Sequence, residues 1–242
     1  QTNVTGGLFS NTTWTKANSP YIVTGNVVVF PGITLTIEPG VTIKFNDGLK
    51  MEVREGTLFA NGTAANPITF TSNSSNPQKG SWDQIFVNQS ANIQIKHCKF
   101  HYAKSALTGQ SIIISVVSSL FTDNTLGMDA QSNTNTRIDS CTFRNNGTGQ
   151  SLTGSKISIT NCSYIKNSTG LYSQSSNVIN CILDSNSVYG LLKHMACNDT
   201  IRNNKIRYNG NGIGNDISGC GGTLFIYDNV IEYNSVGIWL EL

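Results

Sequence analysis

The chain has 242 residues, with 16 Lys and Arg against 14 Asp and Glu, a net charge of +2, and only 12% charged residues. So sparse and balanced a charge excludes a nucleic-acid binder built on a strong basic face. It also gives no reason to expect an anionic membrane surface as a partner. No apolar run approaches the roughly 18 residues of a spanning helix, so no membrane span is expected.

Residues 1–19 are polar and irregular, with Leu8, Phe9 and Trp14 as their apolar content. They are expected to form an N-terminal extension or cap, with the β architecture running over residues 20–242. The chain opens at Gln1 without a signal peptide, as a processed secreted chain would. From Tyr21 the pattern turns to short strands. Ile33, Leu35 and Ile37 alternate with Thr34 and Thr36 and stop at Glu38-Pro39-Gly40. Val41, Ile43 and Phe45 alternate before Asn46-Asp47-Gly48, and Met51/Val53, Leu58/Ala60 and Ile68/Phe70 continue the series. Apolar residues at period two between Gly, Pro and Asn turns read as strands with one buried face.

The run Ser19-Pro20-Tyr21-Ile22-Val23-Thr24-Gly25, followed by Thr34-Leu35-Thr36-Ile37-Glu38-Pro39-Gly40-Val41-Thr42-Ile43-Lys44-Phe45, resembles the opening of many secreted right-handed parallel β-helix proteins. The later blocks from Asn203 to Ile213 and from Asn229 to Ile238 are similar to the generic repeats of the pectin-lyase-like superfamily. The resemblance implies a single all-β domain, a right-handed coil, and a secreted or cell-surface bacterial or archaeal setting. It implies little about activity, because this architecture carries many.

Between Phe100 and Ile231 one block recurs seven times, on the anchors Phe100, Phe121, Phe143, Tyr164, Leu183, Ile206 and Ile231. A period of about 22 with Asn and Gly punctuation is a solenoid signature. Nine to ten coils are expected, a rod of about 45 Å at the usual strand spacing. Three residues after the anchor stand Asn124, Asn146, Asn167, Asn186, Asn209 and Asn234, with Ala103 in the first copy. These six are expected to stack as a structural amide ladder. The Gly that follows (Gly127, Gly149, Gly170, Gly190, Gly212, Gly237) is expected to supply a left-handed or tight corner.

Cys98, Cys141, Cys162 and Cys181 share one register position. They are either a stack of small buried thiols or sites of a disulfide between adjacent coils. Cys197 and Cys220 lie outside that register and are the candidate disulfide, which would fit an extracellular location. Nine N-x-[ST] sequons occur. Asn3, Asn11, Asn61 and Asn73 are the glycosylation candidates, and ladder residues Asn146 and Asn167 are expected to stay unmodified.

No catalytic, metal or cofactor constellation stands out. There is no C-x-x-C, His97 and His101 are too far apart along a strand to share an ion, and His194 is alone. The acids, Asp123 and Asp184 among them, fall at different register positions. The residue after each anchor forms an outward ladder, His101, Thr122, Arg144, Ile165, Asp184, Arg207 and Glu232, read as a solvated ion ladder. Tyr208 and Tyr233 are equivalent positions in adjacent coils. With Asp184 and Glu232 they are the candidate glycan platform.

The chain stops on an apolar strand, with Ile238, Trp239, Leu240 and Leu242 as a candidate assembly edge. The preferred expectation is a non-catalytic secreted or cell-surface structural rod. It would self-assemble or pack end to end, with copies of itself or neighbouring domains as partners. The alternative is an extracellular module that binds or degrades polysaccharide.

Overall fold

The computed structural model describes residues 1–88, 91–110, 114–134, 136–155, 157–194, 198–216 and 223–241. Its strands wind into about ten coils of a parallel solenoid. A back face of ten strands runs from Thr12–Trp14 through Asn92–Lys96 to Leu224–Tyr227, one strand per coil. An anchor face carries the short strands Cys98–His101, Leu120–Thr122, Thr142–Arg144, Ser163–Ile165, Ile182–Asp184, Lys205–Arg207 and Val230–Glu232. A long face carries Ala103–Gln110, Leu126–Thr134, Thr148–Ser155, Thr169–Gln174, Tyr189–His194, Asn211–Asp216 and Val236–Glu241.

Anchor residues stack in register, Phe100 on Phe121, Phe121 on Phe143 and Phe143 on Tyr164. Rings of Phe70, Phe100, Phe121, Phe143 and Tyr164 form one column with centroids 4.6–5.1 Å apart. These rings are fully buried. Burying a large apolar side chain contributes about 1.5–3 kcal/mol, so this column is the main fastening of the anchor face to the core.

Residues 1–19 hold two strands and a short 3-10 turn at Lys16–Asn18. Thr2–Leu8 pairs with Tyr21–Val29, and Thr12–Trp14 pairs with Thr34–Ile37, which makes a first coil. Trp14 is buried and stacks on Tyr21 at 4.8 Å. A terminal coil has a neighbour on one side, so it folds with less apolar sequence, and its alternation is weak.

The corner glycines do not do what the sequence implied. None of Gly127, Gly149, Gly170, Gly190, Gly212 and Gly237 has a positive φ. The left-handed corner residue is instead the one before each ladder position: Tyr102, Asp123, Asn145, Lys166, Ser185, Tyr208 and Tyr233, with φ between 53° and 66°. Glycine is needed for close approach: a Cβ on Gly170 would stand 2.6 Å from the Gly190 carbonyl oxygen and 3.0 Å from Asn186 Nδ2.

Candidate functional site

The corner between the anchor and long faces gathers the polar chemistry. In each coil the residue after the anchor points outward. The next residue takes the left-handed bend and also points outward, and the third turns in. Behind this corner the amides form a continuous ladder. Asn124 Nδ2 donates to Asn146 Oδ1 at 3.1 Å, and the pattern repeats through Asn146, Asn167, Asn186 and Asn209 to Asn234 at 2.9–3.1 Å. Each of those amides also donates to the anchor carbonyl of the preceding coil, as Asn167 Nδ2 does to Phe143 O at 3.0 Å. The ladder ends on Ala103, whose N–H donates to Asn124 Oδ1 at 2.8 Å. A second, shorter ladder escaped the sequence reading as such: Asn204 Nδ2 donates to Asn229 Oδ1 at 2.9 Å, and the Cys181 N–H to Asn204 Oδ1 at 2.8 Å.

Two adjoining hollows that share Leu120 and Thr142 lie on the outer side of the anchor face, the second of them reaching this corner. One, of ≈ 290 Å³, includes His97 and Lys99. The other, of ≈ 600 Å³, is lined by Thr122, Asp123, Arg144, Asn145 and Lys166. Arg144, Asn145 and Lys166 are exposed, and Asp123 is half-buried. Asp123 accepts from Thr122 Oγ1 at 3.0 Å and from Asn145 Nδ2. These bonds fix its carboxylate and leave both cations facing the open hollow. Beside it, His101 lies in register with Thr122. Burial holds the His101 imidazole below its ordinary 6.5, against the raising effect of Asp123. Asp123, Arg144 and Lys166, which belong to three separate repeats, thus line one hollow across successive coils.

Farther along the same corner, Tyr208 and Tyr233 stack at 5.2 Å with planes 8° apart, and are 52% and 70% exposed. Arg207 sits over the Tyr208 ring at 5.4 Å, and its Nε is 2.7 Å from Asp184 Oδ2. Burial raises the Asp184 pKa, but the Ser185 hydroxyl and Arg207 outweigh it and hold it below the ordinary 3.8. Glu232 is the register partner of Arg207. Asp184 is therefore committed to an ion pair and does not stand free as a sugar ligand.

Of the two readings of the stacked cysteines, the structure has the buried thiols and not the inter-coil disulfide: Cys98, Cys141, Cys162 and Cys181 are free and buried. Parallel stacking points their Cβ vectors the same way, which does not suit the cross-linked geometry. Their thiols donate to carbonyls instead, as Cys162 Sγ does to Thr160 O at 3.2 Å. Cys197, Cys220 and Leu242 lie outside the described residues. Asn3, Asn11, Asn61 and Asn73 are exposed, while Asn146 and Asn167 are each 2% exposed. Ile238, Trp239 and Leu240 are 43%, 39% and 54% exposed. Among the described residues no cluster of three or more His, Cys, Asp or Glu is placed to hold a metal, and no helix is long and apolar enough to cross a membrane.

Two family models match: a pectate-lyase-like beta helix domain over residues 6–111, and a right-handed beta helix region over residues 106–242. The chain belongs to the right-handed β-helix family. No curated protein matches this β-helix chain. Among solved structures it is similar to the A-module of mannuronan C-5 epimerase AlgE6 from Azotobacter vinelandii, at 12% identity and a TM-score of 0.45, covering 96% of this chain and 87% of that one. It is also similar to a mutant of the periplasmic alginate epimerase AlgG, at 10% identity and a TM-score of 0.30, covering 86% and 77%.

Proposed function

We propose that this β-helix chain is an extracellular polysaccharide-binding module that holds an acidic glycan along the corner between its anchor and long faces. The observation that carries the reading is the hollow where Arg144 and Lys166, two exposed cations from successive coils, face solvent beside a carboxylate already occupied by its own neighbours. A carboxylated sugar satisfies these cations with charge-assisted hydrogen bonds. Tyr208 and Tyr233, two and three coils farther along the corner, offer an aromatic face to a sugar ring of the same chain. Calorimetric titration with an oligouronate and with its neutral counterpart tests this. Binding of the acidic glycan alone supports the reading, and equal or no binding of both overturns it.

A second reading is a secreted structural rod that packs with copies of itself. The unbroken amide ladder from Asn124 to Asn234 favours it, because such a backing resists bending. Ordered filaments or sheets in electron micrographs over a concentration series are its signature, and isolated rods at every concentration exclude it.

A further inference from the structure

Toward its C-terminal coils the core stops being purely apolar. Lys193, on the strand Tyr189–His194, is fully buried. Its Nζ lies 2.7 Å from Asp199 Oδ2 and donates to Ser176 O at 3.2 Å and to Ser176 Oγ at 3.0 Å. Asp199 is 4% exposed. On the next coil the register partner of Lys193 is Asn215, itself 2% exposed, and its Oδ1 has no hydrogen-bond partner. Adjacent parallel strands stand about 4.8 Å apart, so Lys193, which carries Asp199 on its amine, and Asn215 are stacked neighbours with both side chains buried. A buried ion pair beside an unpaired amide oxygen is an expensive arrangement if it does nothing. Burial also pulls the Lys193 pKa below its ordinary 10.5, against the opposing pull of Asp199, which favours the neutral, nucleophilic amine.

We propose that Lys193 and Asn215 become joined by an amide bond, with Asp199 carrying the proton. Asp199 takes a proton from the Lys193 ammonium. The neutral Nζ attacks Asn215 Cγ, and the protonated carboxyl supports the amide oxygen as the tetrahedral centre forms. The Cγ–Nδ2 bond then breaks. Nitrogen leaves with the second Lys193 proton and the proton returned by Asp199, as ammonium, and Asp199 ends ionised as it began. No oxidant or other reactant is consumed. The product removes the buried Lys193 cation and ties two successive coils together covalently.

The test is intact-mass measurement of the whole chain with tryptic peptide mapping. The expected result is a deficit of one ammonia, no cleavage after Lys193, and a branched peptide containing Lys193 and Asn215. Cyclisation of Gln1 also releases ammonia, so the map, not the total mass, decides. Lys193→Met and Asn215→Ala should each abolish the branched peptide. Separate linear peptides cleaved after Lys193 overturn the proposal, as does a branched peptide lighter by one water that joins Lys193 to Asp199.

Discussion

Asn186 Oδ1 accepts two hydrogen bonds from Asn167, one from its backbone N–H and one from its Nδ2, both at 3.0 Å. One side-chain oxygen thus closes the corner of its own coil against the previous coil. Replacing Asn167 by Asp keeps the volume and removes the donor. The new oxygen would face Phe143 O and Asn186 Oδ1, both acceptors. Asn167→Asp is expected to lower the unfolding free energy by about 1–3 kcal/mol at neutral pH, read by chemical denaturation. An unchanged midpoint would mean that the ladder contributes nothing.

Gly170 and Ser118 should respond in opposite ways. Gly170→Ala brings a Cβ within 2.6 Å of a backbone oxygen and forces coils apart, so its melting temperature should fall clearly. Ser118 sits at φ 49°, a left-handed conformation that costs a non-glycine residue about 1–2 kcal/mol. Ser118→Gly relieves that strain and loses about 0.5–1 kcal/mol to the freer unfolded chain, so it should be neutral or slightly stabilising.

The pH dependence of stability follows from depressed folded-state pKa values. His101 is held below 6.5 mainly by burial, so the unfolded chain binds its proton more readily. Its contribution is present above about pH 6.5 and is lost as pH falls through the folded value. The Arg54 hydrogen bond lowers Glu52, and bonds to Asp184 and Asp139 outweigh their burial, so a second loss comes on acidification below their ordinary values of 3.8 to 4.5. Melting temperature against pH should show both declines, and His101→Gln should remove the first alone.

The stacked thiols should be silent in the native protein. Burial pushes the Cys98 thiol up to about 12 and Cys141 well above its ordinary value. Alkylation mapped by peptide should leave Cys98, Cys141, Cys162 and Cys181 unmodified until denaturant is added. Native-state labelling at Cys141 would contradict the packing.

The coil and its ladder were legible in the sequence because identical positions stack, so Asn167 and Asn186 announce each other by spacing alone. The groove was not. Asp123 stands two residues after its anchor and Arg144 one, which in a continuous strand puts them on opposite faces. The left-handed bend at Asp123 turns both outward, and no residue type marks it, since Tyr, Asp, Asn, Lys and Ser all occupy that corner. Gly170 was visible but its reason was not, because close approach depends on the coil above. The burial of Lys193 had no mark in the sequence. The segment from Asn186 to Gly190 is one residue longer than that from Asn167 to Gly170, and this shifts Lys193 into the inward register of Ser173.

The direct measurement is titration of the protein with an oligouronate at two salt concentrations, using the wild type and the Arg144→Ala/Lys166→Ala pair. The wild type should bind, bind more weakly at higher salt, and lose affinity at least tenfold in the double variant, about 1.4 kcal/mol or more, with melting temperature unchanged. Equal affinity in the two proteins, or no binding in either, would contradict a glycan site at this corner.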